Sequence, residues 1–158
     1  MDKLDVKILD QMQRDATLSV AALSERVNIS KTACWRRIKQ LEKSGAIRSR
    51  VTLLDPEKIN LDVIAFAHIK TSRHDDDWFK RFTRAIDAMP EVLEFYRLSG
   101  DADYLLKIVA KDIKSYDEVY KKLIRSVDLL DVSSSFVMET IHYSNELPLD
   151  AAVAKEND

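Results

Sequence analysis

Between Val27 and Ser30 lie only Asn28 and Ile29, and on either side of that pair the apolar residues recur at helical spacing. Upstream, Ala22, Leu23 and Val27 share one face of a segment that opens at Ser19, a good N-cap. Downstream, Ser30 caps a segment that runs to Ser44 and stops at Gly45. Two helices joined so tightly form a helix-turn-helix, and Asn28 tolerates the left-handed conformation used where a helix ends. A preceding helix, about Asp2 to Asp15, carries the stripe Leu4, Ile8, Leu9 and Met12 that such a pair packs against. Ile47 to Leu54, rich in Val and Ile with interspersed Arg48 and Arg50, reads as a strand leaving this unit. Asp55-Pro56 marks the boundary. Residues 1–54 are thus expected to form one domain and 55–62 a linker.

The net charge of −2 conceals an asymmetry. Residues 1–54 hold 11 Lys and Arg against 6 Asp and Glu, net +5, whereas residues 55–158 hold 14 against 21, net −7. A basic module joined to an acidic one makes the first the candidate for nucleic acid. The single cysteine forms no internal disulfide and suits a reducing cytoplasm. No run of 18 apolar residues suggests a membrane span, and the polar start Met1-Asp2-Lys3-Leu4-Asp5 lacks a signal-peptide apolar region.

From Val63 the pattern changes. Val63 to Thr71 reads as a strand, and Asp76 to Met89 as a helix stopped by Pro90. Val92 to Ser99 and Tyr104 to Ala110 read as strands joined by a short turn. A helix follows from Asp112 or Lys114 to about Val127, then a last strand from Val132 to Tyr143. The order is βαββαβ, a ferredoxin-like unit over residues 63–150, and the fold class is α+β. The tail 151–158 is expected to fray. Both faces of Val63-Ile64-Ala65-Phe66-Ala67 are apolar, but two helices cover only one face of a four-stranded antiparallel sheet. A second copy's sheet is the simplest cover, so at least a dimer is expected.

On a wheel at about 100° per residue, Cys34, Ile38 and Leu41 fall on one side of the third helix. Thr32, Arg36, Lys39 and Lys43 fall opposite. Residues 31–50 hold seven cations, among them Lys31 and Arg37, against one anion, Glu42. Cations supply salt-dependent attraction to phosphate, and Arg pairs bidentately with guanine. The DNA-contacting candidates are therefore Lys31, Thr32, Arg36, Arg37, Lys39 and Lys43. Trp35, at the edge of the core face, is expected to pack rather than to stack on bases. Cys34 is expected to be a buried structural thiol.

The stretch Leu18-Ser-Val-Ala-Ala-Leu-Ser-Glu-Arg-Val-Asn-Ile-Ser30, followed by Thr32-Ala-Cys-Trp-Arg-Arg-Ile-Lys-Gln-Leu-Glu42 and Gly45-Ala-Ile47, resembles the helix-turn-helix of Lrp/AsnC (leucine-responsive, or feast/famine) transcription regulators. The resemblance continues through Leu53-Leu-Asp-Pro-Glu-Lys-Ile59, Met89-Pro-Glu-Val92, Ser99-Gly-Asp-Ala-Asp-Tyr-Leu105 and Leu147-Pro148. It covers about residues 2–150 in the family's order. One departure is Ala33, where the family commonly has Pro; both fit a first helical turn. The resemblance implies a winged-type DNA-binding domain, a strand-containing linker, a ferredoxin-like ligand-sensing domain, and dimers that often assemble into octamers. The Cys34-Trp35-Arg36-Arg37 variant resembles a subgroup associated with sulfur amino acids. It sets a cysteine effector beside a leucine-like one.

The turn Ser99-Gly100-Asp101-Ala102-Asp103-Tyr104 is the candidate effector site. Plain hairpin chemistry also accounts for its Gly and Asp. Yet Gly100 lets backbone approach closely, consecutive turn N–H groups can hold a carboxylate, and Asp101 and Asp103 can receive an ammonium. In the family this turn lines a pocket between subunits. Ser133, Ser134, Ser135 and Thr140 are additional lining candidates. His68, His74 and His142 show no ligand spacing, and Asp75-Asp76-Asp77 suits a helix N-terminus, so neither a metal nor another cofactor is expected. An RNA-recognition module would need aromatic and basic residues on the strand Tyr104-Leu-Leu-Lys-Ile-Val109, which lies in the acidic region. No nucleophile–base pair or phosphate loop points to an enzyme. The alternative hardest to separate is an architectural protein that packs DNA without responding to a ligand.

Overall fold

The structure, a computed structural model, describes residues 1–152, with side chains as far as Asp150. The tail expected to fray lies, beyond Ala152, outside the described residues. The chain divides into two compact units: Met1–Thr52 together with the segment from His142 onward, and Leu53–Ile141.

In the first unit, helices α1 (Lys3–Arg14), α2 (Val20–Arg26) and α3 (Lys31–Lys43) enclose Ile8, Leu23, Val27, Cys34, Ile38 and Leu41. Each start is capped as its sequence dictates. The Asp2 carboxylate accepts from the N–H groups of Leu4 and Asp5, at 2.9 and 2.8 Å. The Ser19 hydroxyl accepts from Ala22 and that of Ser30 from Ala33. Asn28 takes φ of 56°, so the chain leaves α2 through the left-handed conformation and enters α3 within a few residues. Gly45, at φ 78°, ends α3.

In the second unit, β1 (Val63–Lys70), α4 (Asp76–Asp87), β2 (Val92–Arg97), β3 (Tyr104–Ala110), α5 (Ile113–Ser126) and β4 (Asp131–Phe136) follow in the expected βαββαβ order. The antiparallel sheet runs β2-β3-β1-β4. Ala65, Ala67 and Ile69 of β1 and Leu106, Ile108 and Ala110 of β3 point toward the helices. There they meet Trp78, Phe82, Ile86, Tyr116, Val119 and Leu123. The alternate residues Ile64, Phe66 and His68 stay half-buried on the open face. On that face Lys107 and Glu94 pair at 2.9 Å across β2 and β3.

Three expectations are corrected. Ile47 to Leu54 is not a strand: no regular structure follows α3 until the short turn Glu57–Ile59. A strand needs a ladder partner, and these residues have none among the described residues; Val51 and Leu54 are each 67% exposed. The last strand stops at Phe136 rather than Tyr143, because its partner β1 begins at Val63. The Val137 N–H still reaches the Ile64 carbonyl at 2.9 Å, and beyond it no strand remains to pair with. Finally, the segment from His142 belongs with the helices, not with the sheet. Gln13 makes a two-way amide contact with Leu147, donating to its carbonyl at 3.1 Å and accepting from its N–H at 2.9 Å. Arg14 lies 3.5 Å from Glu146.

Candidate functional site

Helix α3 presents two opposed faces. Cys34, Ile38 and Leu41 are buried, while Lys31, Thr32, Arg36, Lys39 and Lys43 are exposed. Lys31, Arg36 and Lys43 pair with no carboxylate among the described residues. Lys39 lies 2.8 Å from Glu42, which Arg50 also approaches at 2.9 Å. The Lys39 hydrogen bond is the main reason the Glu42 carboxyl is held below its ordinary range. The outward basic strip is therefore Lys31, Arg36 and Lys43, with Lys39 partly neutralised.

Two residues of α3 differ from expectation. Arg37 points away from the strip, and its Nη1 lies 2.7 Å from both Asp2 and Asp5. The hydrogen bond to Asp5, then that to Asp2, raises the Arg37 pKa. Arg37 thus ties α3 to the N-terminus of α1 and is engaged before any DNA arrives. Its angular position shows why: it flanks the core stripe on the side that faces α1. Trp35 flanks the stripe on the other side, packs into no core, and is 54% exposed.

The hairpin expected to hold an effector joins β2 to β3. Leu98 N–H donates to the Asp103 carbonyl at 2.8 Å, closing a loop whose tip, Gly100, adopts φ of 145°. That conformation favours glycine. The carboxylate of Asp103 accepts from the Thr71 N–H at 2.8 Å, and its own N–H donates to the Ile69 carbonyl. Asp103 thereby fastens the hairpin to the end of β1. Asp101 is exposed and Ala102 half-buried. Tyr104 points into the core of the second unit: it is 3% exposed and sits among Trp78, Phe79, Phe82 and Phe95, with centroids 5.5–6.1 Å away. It shares the inward parity of Leu106 and Ile108.

Ser134 also faces inward and hydrogen-bonds the Tyr116 hydroxyl. It is in register with Ala67, across β1 from β3 and its hairpin. Ser133 and Ser135 point the other way and are exposed, and Thr140 is an exposed residue past the end of β4. Within one copy, Ser134 and Thr140 are not gathered at the Gly100 hairpin. Nor does the hairpin line either of two concavities, about 710 and 380 Å³ in volume. The larger lies between α1, α2 and the C-terminal segment. The smaller lies along the α5–β4 connection. No cluster of metal-ligating side chains occurs among the described residues, and no helix among them is long and apolar enough to cross a membrane.

Comparison with known proteins decides the family. A winged helix-turn-helix DNA-binding family model matches residues 1–48, and the Lrp/AsnC ligand binding domain matches residues 64–147. The chain belongs to the Lrp/AsnC family. It is 49% identical over 151 residues to the DNA-binding transcriptional activator DecR of Escherichia coli K12, spanning 95% of this chain and 99% of that one. It resembles the crystal structure of an AsnC family regulator from Agrobacterium tumefaciens with TM-score 0.92 and 52% identity, covering 97% of this chain and all of the other. It also resembles a Neisseria meningitidis transcriptional regulator in complex with L-methionine, with TM-score 0.91 and 36% identity, covering 97% and 99%. This Lrp/AsnC protein is therefore a DNA-binding transcriptional regulator. Its α3 lies in the matched DNA-binding region, and its sheet and hairpin lie in the matched ligand-binding region. The matched families are those of regulators, not of enzymes.

Sequence reasoning overlooked the docking of Ser144–Asp150 on α1 and the partnered state of Arg37 and Asp103. The first left no periodic signal, because a single Gln–backbone pair carries much of it. The Arg37 pairing was accessible: Asp2 and Asp5 open α1, and Arg37 falls on the flank of α3 that meets them.

Proposed function

We propose that this regulator reads duplex DNA with α3, through Lys31, Thr32, Arg36, Lys39 and Lys43, and that an amino acid bound at the Gly100–Asp103 hairpin alters its assembly or its DNA affinity. The observation that carries the first half is the exposed, basic face of α3, backed by a buried apolar stripe. Such a helix suits the major groove, with its N-terminal residues toward the base edges. The second half rests on the exposed hairpin, its left-handed glycine and the carboxylate of Asp101. A zwitterion offers one charge to turn amides and the other to a carboxylate.

Because one copy leaves this hairpin open, the pocket is completed by a second copy. The half-buried Ile64, Phe66 and His68 face makes the dimer contact, and dimers assemble further, up to an octamer. The methionine held by the Neisseria relative supports an amino-acid effector. A sulfur-containing side chain such as cysteine is tried first and a leucine-like one second. The protein works in the cytoplasm on double-stranded DNA, without a metal or other cofactor.

The test pairs two measurements on the full chain. A duplex is selected from a randomised pool by the protein itself, and gel shifts at fixed salt are run with and without each of the twenty amino acids. A thermal-shift screen with the same set runs in parallel. One or a few amino acids should raise the melting temperature and change the affinity or stoichiometry of the DNA complex. An amino acid can do so only through unequal affinity for the two states. Unchanged gel shifts and melting with all twenty would establish an architectural protein instead. Failure to enrich any duplex would remove the DNA-reading assignment.

A further inference from the structure

We infer that Trp35 is a specificity residue that reads the methyl group of thymine in the major groove, an inference resting on α3 as the DNA-reading helix. Four observations converge on it. The indole is 54% exposed and belongs neither to the core of the first unit nor to the partly buried shell around it. It stands one turn from Lys31 and Thr32 on one side and Lys39 on the other, with Arg36 beside it. Helical side chains lean toward the N-terminus, so the ring covers the Lys31–Thr32 turn, in the half of a recognition helix that meets base edges. On the same helix Lys31, Arg36 and Lys43 face outward and pair with no carboxylate among the described residues, a surface that draws phosphate.

The occupant follows from the chemistry of the partner those cations select. A large apolar ring in a strongly basic surface finds few matches on a protein, because apolar docking patches are depleted in charge. In the major groove one base-edge feature is apolar, the C5 methyl of thymine. Cations on either side of the indole would hold the two backbones while the ring presses on that methyl. Arg36 and Trp35 would then divide the readout, a hydrogen-bonded guanine edge for the first and a methyl contact for the second.

The closing experiment uses the full-length protein and the duplex it selects from a randomised pool. Thymines are replaced one at a time by uracil, which keeps every hydrogen bond and removes only the methyl group. At one thymine or more, wild type should lose about fourfold in affinity, the worth of one buried methyl group. The Trp35→Ala protein should bind the thymine and uracil duplexes equally at that position. Fluorescence supplies a second reading, since the chain's other tryptophan, Trp78, is 0% exposed. Acrylamide should therefore quench mainly Trp35 in the free protein, and the selected duplex should protect it.

Wild-type affinity unchanged by uracil at every position, or an indole that stays quenchable in the complex, overturns the inference while leaving α3 as the DNA-reading helix. A change of assembly state in Trp35→Ala without DNA assigns the ring to a contact between copies and overturns it equally. If wild type enriches no duplex, the DNA-reading assignment falls and this inference with it.

Discussion

Lys43 offers a direct measure of how α3 meets DNA. It sits in the last turn, exposed and without a carboxylate partner among the described residues, seven residues and about 10 Å beyond Arg36 along the axis. A recognition helix carries base contacts toward its N-terminus, so Lys43 is placed for phosphate. One phosphate contact contributes about 0.9 to the slope of log affinity against log salt, and two copies in a dimer contribute about 1.8. Over a rise from about 50 to 200 mM salt, wild type should therefore weaken about twelvefold more than Lys43→Gln. The loss should be the same on selected and on scrambled duplexes. Arg36→Ala should behave oppositely, weakening the selected duplex by about 5- to 150-fold with little effect on scrambled DNA. Gel-shift titrations at four salt concentrations separate the two. Parallel salt lines for wild type and Lys43→Gln would refute the phosphate role, and a loss confined to the selected duplex would mean that Lys43 reads a base.

Three further outcomes follow from the pairings around the sites. Asp103→Ala strands the Thr71 N–H and should cost about 1–3 kcal/mol in urea unfolding, whereas Asp103→Asn keeps an acceptor and should cost little; equal stability of the two would remove the fastening role. Cys34 is 0% exposed and burial raises its pKa, so it should react with a thiol reagent only as fast as the unit opens, and rapid reaction of the native protein would contradict its placement. Asp2, Asp75 and Asp112 are held below their ordinary value of 3.8, chiefly by N–H groups of their own helix starts. A lowered folded-state pKa gives stability that is present above the unfolded value and lost as pH falls through the folded one, so the melting temperature should drop steeply below about pH 4. A melting temperature flat down to about pH 2 would exclude that contribution.

What the sequence revealed divides along a physical line. Helix starts and the α2–α3 turn were legible because Asp2, Ser19, Ser30 and Asp75 act on amides a few residues away and Asn28 accepts the left-handed conformation. The βαββαβ element order was legible because Pro90, the Gly100 turn and Asp112 punctuate the apolar runs. The ends of β4 and the fate of Ile47–Leu54 were not, since a strand exists only where a partner runs beside it. The burial of Tyr104 was missed for a related reason. Its neighbours Gly100–Asp103 are turn residues, but position 104 already has the inward parity of β3, and no motif match reports parity.

Charge in a functional motif also has two fates. Arg37 and Asp103 both stand in motifs that suggested a ligand, and both are engaged within the fold, one by Asp2 and Asp5, the other by the Thr71 amide. Lys31, Arg36 and Lys43 stand in the same helix as Arg37 and pair with no carboxylate among the described residues. The difference lies in angular position about α3: the flank facing α1 meets Asp2 and Asp5, whereas on the outer face Lys39 alone of these cations meets a carboxylate, Glu42 of its own helix. Groups already satisfied inside the fold would have to break those bonds to serve a ligand, a cost the outward groups do not carry. The outward set is therefore the one that fits the proposed reading surface. By the same criterion Trp35, unburied on the flank away from α1, belongs to that surface and not to the core.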